Sequence, residues 1–251
     1  MFLKLRSLLF SLIFLIGLEL IVLFHRHVFV VAFFLIFLSI YFGKKSGGKW
    51  KHSILPAFFT VSSISLLYLV GLFYEQQIFI VLVSLMYYLS LLGAFRLGQY
   101  EGDKTAKGMI MASAISTIFF TYAGAYGLYL NFLVPLYALM AVYAIATLLV
   151  SFQYFSLVYL QKSDSHPKTT VWVYSFILAL IMAEIIWTMN YWPFGYLTTG
   201  VIALILYYMI WDITQCYFQD ILSKKRVASN AVLVAFLVGF VLMSAKWIPV
   251  I

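Results

Sequence analysis

Charge is what this sequence has least of. Only 10% of its 251 residues are charged, while 65% are hydrophobic. A soluble domain carries about a quarter charged residues and about half apolar ones. A soluble fold with this balance would expose large apolar patches and aggregate, so the composition excludes a soluble globular protein and makes lipid the sensible solvent. Acid is scarcer still, with eight Asp and Glu against sixteen Lys and Arg, a formal net charge of +8. A basic excess can mark a nucleic-acid binder. Here the basic residues sit in loops between apolar runs, as membrane topogenesis requires, and they attract anionic lipid headgroups. Lipid, not nucleic acid, is therefore the expected partner. Cysteine is nearly missing. The single Cys216 excludes an intrachain disulfide framework and a Cys-based zinc site, and within an apolar run it reads as a small buried thiol.

Catalytic signatures are missing too. Gly43 to Lys49 matches the first part of a phosphate loop, but Trp50 stands where the magnesium-binding Ser or Thr belongs and no strand precedes it. There is no HExxH motif and no nucleophile elbow. His25 and His27 alternate in a turn and lack the i,i+4 geometry of a helical metal pair. No lysine lies in the middle of an apolar run, which leaves no candidate for a retinal Schiff base. The aspartate-rich signature of a CDP-alcohol phosphotransferase is absent. The sequence implies no metal and no cofactor.

What is present is a series of apolar runs, each about the 20 residues needed to cross a hydrocarbon core of ~30 Å. They cover 7–24, 28–42, 54–74, 78–97, 108–130, 132–160, 170–189, 196–219 and 227–245. Lys4 and Arg6 before the first run resemble a signal-peptide start. No small-x-small cleavage site follows, since Glu19 and His25-Arg26-His27 occupy that place, so the run reads as an uncleaved first helix. The breaks are the basic loops GKKSGGKWKH, GQYEGDKTAK, QKSDSHPK and SKKR, alternating with tight turns at HRH, EQQ, Asn131 to Pro135 and NYWPFG.

The positive-inside rule counts Lys and Arg near span ends. With the N-terminus in the cytoplasm, fourteen of them fall inside, and only Arg26 and Lys246 fall outside. Every alternate loop fits, so the charge supports the number of spans as well as their orientation. The expected fold is one all-α polytopic transmembrane bundle over residues 1–251 with about nine spans, the N-terminus cytoplasmic and the C-terminus outside. The first hairpin has an alternative, a single long helix across HRH, which would break this parity.

Trp187, Tyr191 and Trp192 at one predicted boundary, and Trp50 and Trp172 at the other, read as an aromatic belt at headgroup level. In the fifth span Ser113, Ser116, Thr117, Thr121 and Gly124 recur at helical spacing, and Ala123 and Gly127 add a small-xxx-small pair, which lets helices approach closely in lipid.

Charge inside a span is the informative anomaly, because it is costly there and turns toward protein or water. Three acids qualify. Glu19 lies in the outer half of span one, with Arg26 seven residues on and on the same face if the helix continues. Glu184 lies toward the outer end of span seven, with Trp187, Thr188 and Tyr191 on its face. If their helices are neighbours, Glu19, Glu184, His25, Arg26 and His27 form an outward-facing polar pocket able to transfer protons or bind a cation. Asp212 lies toward the cytoplasmic end of span eight, in a stripe with Tyr208, Gln215 and Gln219. That stripe reads either as a cytoplasmic vestibule or as interhelical hydrogen bonding.

The stretch from Trp192, WPFGYLTTGVIALILYYMIWDI, through the basic loop to SAKW, resembles the C-terminal part of an uncharacterised family of bacterial multi-pass membrane proteins. The resemblance covers about the last quarter of the chain and implies a bacterial inner membrane. Three functions are consistent with the sequence. The first is a transporter or permease-like protein for a small or lipidic solute, with the three acids as proton or substrate groups. The second is a membrane enzyme acting on a lipid-linked substrate at the outer leaflet. The third is a structural or assembly subunit, with membrane-protein partners or further copies of itself.

The topology has a direct test. A cysteine placed at Lys246, in a chain with Cys216→Ser, is expected to react with a membrane-impermeant maleimide added to the outside of cells. Labelling only after the cytoplasmic face is opened would overturn nine spans.

Overall fold

A computed structural model describes residues 2–48, 50–100, 102–132, 134–158 and 168–245. Most of the QKSDSHPK connection and the end of SAKW lie outside the described residues. Within them the chain is all-α: α1 Phe2–Leu23, α2 Val28–Gly47, α3 Ile54–Leu69, α4 Phe73–Gln99, α5 Lys104–Asn131, α6 Leu136–Val158, α7 Lys168–Met189, α8 Tyr196–Phe218 and α9 Lys224–Ser244. Eight of these helices are long and apolar enough to cross a bilayer, and the chain is a multi-pass membrane protein. The exception is α3, whose 16 residues reach only about 24 Å at the α-helical rise. The helices form two compact units, Met1–Thr121 and Tyr122–Ile251.

The first unit opens with a true hairpin. His25–His27 form a single 3-10 turn. Phe10 of α1 stacks on Phe42 of α2 with ring centroids 3.8 Å apart, and a β-carbon at Gly17 would run into Leu35. Both pairs are symmetric about Arg26, the signature of two antiparallel helices rather than one long one. The core gathers Phe14, Leu18, Leu35, Phe59, Ile80 and Tyr87 from four helices.

Through that core runs a chain of hydroxyls. Tyr87 OH donates to Ser39 Oγ at 2.9 Å, Ser39 and Thr60 hydroxyls are 2.7 Å apart, and Thr60 Oγ1 donates to the Pro56 carbonyl at 2.9 Å. A hydroxyl has one proton to give, so the donor order is fixed from α4 through α2 to α3. Ser11 Oγ adds a bond from α1 to the Ser84 carbonyl of α4 at 2.6 Å.

The join between α3 and α4 departs from the sequence reading. α3 stops at Leu69, the chain is extended at Val70 and Leu72, and EQQ is the first turn of α4 rather than the connection. The reason is electrostatics together with a hydrogen bond back to the connection. Glu75 in the first turn complements the positive end of the α4 macrodipole. Gln76 Nε2 reaches back to the Val70 carbonyl at 2.7 Å.

The loop from α4 to α5 is pinned by Asp103. One carboxylate oxygen caps α5, accepting from the Thr105 and Ala106 N–H groups at 2.9 and 3.2 Å. The other accepts from Arg96 of α4 through Nε and Nη2, both at 2.7 Å. Burial pushes the Asp103 carboxyl up, but the Ala106 N–H, the Arg96 guanidinium and the Thr105 N–H outweigh it and hold it below the usual carboxylate range. The contact's contribution is thus complete at neutral pH and is lost as the pH falls through that lowered value.

The second unit is built on tyrosine. Tyr122 of α5 and Tyr143 of α6 stack face to face at 4.1 Å and 1°, and Tyr207 of α8 meets Tyr122 edge-on at 6.3 Å. Their hydroxyls are all engaged: Tyr143 with the Tyr122 carbonyl at 2.9 Å, Tyr122 with Thr147 Oγ1 at 2.6 Å, and Tyr207 with Ser151 at 3.0 Å. α6 packs on α7, α7 on α8, and α8 on α9. The small residues of α5 do as expected at one point. A β-carbon on Gly200 of α8 would lie 2.8 Å from Ala123 Cβ and 2.9 Å from its Cα, so the two backbones touch there.

Gly200→Val should therefore destabilise the protein by about 1–3 kcal/mol, the usual range for overpacking a close contact. Gly239→Val on α9, where a β-carbon meets nothing within 4 Å, should change stability by no more than about 0.5 kcal/mol. Thermal unfolding of both variants in detergent checks the difference.

Candidate functional site

The first turn of α9 is electrostatically awkward. Ser223 caps it, accepting from the Arg226 N–H at 3.3 Å, and the turn carries Lys224, Lys225 and Arg226. Three cations thus crowd the positive end of a helix dipole. The compensating charge is Asp212 of α8. Its Oδ1 lies 3.8 Å from Arg226 Nη2, and its Oδ2 accepts from Asn230 Nδ2 at 2.6 Å. One turn further along α8, the buried Cys216 thiol donates to the same Oδ2 at 3.7 Å. The Asp212 side chain is 17% exposed and that of Arg226 44%, so the pair sits at the rim of the packed interior.

The stripe expected on α8 divides between neighbours. Asp212 turns to α9, while Gln215 Nε2 donates to Tyr154 OH of α6 at 3.0 Å. Tyr208 is 41% exposed and Gln219 closes the helix. Asp212 and Gln215 thus each make a hydrogen bond between helices, to α9 and to α6. Chemically, the cluster is a carboxylate shared between a neutral amide and a loosely held guanidinium. Loss of its charge would remove the attraction to Arg226 and leave the Asn230 contact.

α9 has little buried surface of its own beside this cluster. Only Val234 of its side chains is buried, whereas Val232, Phe236, Phe240 and Met243 are exposed. Neither Arg226 nor Asn230 was singled out by the sequence, which placed SKKR in a loop and began the span at Val227. The signal was Ser223 standing before the apolar run as a cap. Beginning the helix at Lys224 puts Arg226 and Asn230 four residues apart, on one face.

The remaining candidates are placed as follows. Glu19 is half-buried on α1 and accepts from Gln77 Nε2 of α4 at 3.1 Å. α1 ends at Leu23, so Arg26 does not continue its face. Arg26 and His27 are exposed in the turn, and the His25 side chain lies outside the described residues. Glu184 is exposed on α7, along the same face as Leu180 and Trp187, which are exposed as well, while α7 ends at Met189 and the exposed Tyr191 lies in the turn beyond it. Glu19 belongs to the first unit and Glu184 to the second.

A family described as Protein of unknown function (DUF5656) matches residues 41–244, a much wider stretch than the last quarter that carried the resemblance. Among curated proteins and among solved structures, nothing matches.

Removing the amide partner should loosen α9 without unfolding the rest. Asn230→Ala is expected to cost roughly 0.6–1.7 kcal/mol, between the average and the largest value measured for interhelical hydrogen bonds in a membrane protein. Hydrogen exchange should rise in α9 and stay unchanged in α6. Equal loosening of both helices would contradict the local role of the contact.

Proposed function

The chain belongs to the DUF5656 family of proteins of unknown function, matched over residues 41–244, and we propose that it is a permease-like protein for a small or lipidic solute, with Asp212 as its coupling group. The observation that carries this reading is the contact just described. A carboxylate within an apolar helix is paired with groups of a helix, α9, in which Val234 alone is fully buried. Ionisable residues within spans mark solute or proton pathways. In this reading Asp212 holds α9 against α8 while charged. A bound cation taking the place of Arg226 removes that attraction, leaves α9 held through the Asn230 contact alone within the cluster, and so loosens it and opens a path along α8. The fourteen-to-two division of basic residues supports a cytoplasmic N-terminus, with the Asp212 cluster then at the cytoplasmic side. The resemblance of the C-terminal stretch supports a bacterial inner membrane.

Electrophysiology on solid-supported membranes tests the reading. Proteoliposomes of the full chain are exposed to amino acids, sugars, nucleosides and short-chain lipid analogues. At least one probe is expected to evoke a current that falls about tenfold or more in Asp212→Asn, the effect of about 1.4 kcal/mol or more. Spin labels on α8 and α9 should give a broader distance distribution in that variant. Currents no larger than in protein-free vesicles, with an unchanged distance distribution, would refute the proposal.

A further inference from the structure

Between Glu19 and Glu75 the sequence contains no acidic residue, yet it carries Arg26, Lys44, Lys45, Lys49 and Lys51. The structure organises two of these cations. The last turn of α2 carries Lys44 and Lys45. Lys44 Nζ lies over the Trp50 ring, 4.0 Å from its centroid. Lys45 Nζ donates to Tyr41 OH at 3.0 Å. Among the described residues neither ammonium has a carboxylate partner within 4 Å. A groove of about 480 Å³ runs between Tyr41, Lys44, Lys45 and Trp50 and continues along α2 over Phe37 and Ile40.

We infer that this groove binds an anionic phospholipid, with Lys44 and Lys45 holding the phosphate and Phe37 and Ile40 carrying an acyl chain. Each part of the site has a use that the fold itself does not require. The helix is already closed by the left-handed Gly48, whose N–H bonds the Lys44 carbonyl at 2.9 Å, so the lysines are not needed as its cap. Contact with an aromatic face steadies an ammonium without neutralising it. An ammonium has three protons to donate, and Lys45 gives one to Tyr41, leaving donors for phosphate oxygens. Phe37 is 64% and Trp50 65% exposed, so the apolar end of the groove lies open to lipid. A free phosphate ion would use the cations but not this apolar extension. A zwitterionic lipid would bring its own cation to a cluster with no acid to receive it.

Native mass spectrometry of the full chain in detergent, titrated with phosphatidylglycerol or phosphatidylcholine of the same chain length, tests this assignment. Phosphatidylglycerol is expected to bind more tightly. Lys44→Gln and Lys45→Gln should each weaken it roughly fivefold, the factor corresponding to about 1 kcal/mol for each basic residue near an anionic surface. Both side chains lie at the surface, and matching thermal unfolding curves confirm that the variants fold. Phe37→Ser should weaken phosphatidylglycerol and leave inorganic phosphate without effect as a competitor. Equal binding of the two lipids, or unchanged affinity in the double lysine variant, would overturn the inference. So would displacement of phosphatidylglycerol by equimolar inorganic phosphate, which would assign the cations to a free ion.

Discussion

In hydrocarbon, a hydroxyl or amide without a partner has no water to turn to, and leaving it bare costs several kcal/mol. Most polar side chains in these helices answer to that constraint, while the buried hydroxyls of Ser84, Ser90 and Ser175 have no hydrogen-bond partner among the described residues. Most serines and threonines answer locally, donating to a carbonyl three or four residues back, as Ser63, Ser113, Thr117, Thr121 and Thr214 do. Two sets that reach across helices do so in short directed chains that end on a carbonyl. Tyr87, Ser39 and Thr60 form one such chain in the first unit, and Tyr122 and Thr147 begin another in the second. A chain of this kind fixes the relative position of two or three helices more narrowly than apolar packing does, because a hydroxyl displaced by one residue loses both its donor and its acceptor.

Asp212 and Asp103 apply the same logic with charge. Each carboxylate spends one oxygen on one kind of partner and the second oxygen on another. At Asp103 the division is between a helix N-terminus and a guanidinium on the preceding helix. At Asp212 it is between an amide and a guanidinium on the following one. The difference lies in tightness. Arg96 meets Asp103 at 2.7 Å through two nitrogens, whereas Arg226 stands 3.8 Å from Asp212. The first joint is a brace, and the second is the looser of the two.

The sequence made the helices legible because length and apolarity suffice to identify them. The alternation of basic loops correctly favoured two helices over one at HRH. Helix ends were less legible, and for one recurring reason. EQQ and SKKR look like loops on a hydropathy scale, but polar residues are at home in the first turn of a helix, where they serve the exposed N–H groups or reach back to the preceding element. Asp212 was legible as a charge in an apolar run, while Arg226 and Asn230 were hidden by the misplaced start of α9. Tyrosine was the least readable residue type. Tyr191 is exposed as a belt residue would be, but Tyr87, Tyr122, Tyr143 and Tyr207 are core, and nothing in their local sequence separates the two kinds.

The family match begins at residue 41, inside α2, and the folded unit does not. Phe14 of α1 lies against Tyr87 with ring centroids 4.2 Å apart, Ser11 binds the Ser84 carbonyl, and Phe10 covers Phe42. A segment cut at the family boundary would keep Phe42, Ser84 and Tyr87 and lose what covers them. The stretch that inheritance marks out is therefore not a module that could be transplanted: the first forty residues supply part of the core on which the first unit closes.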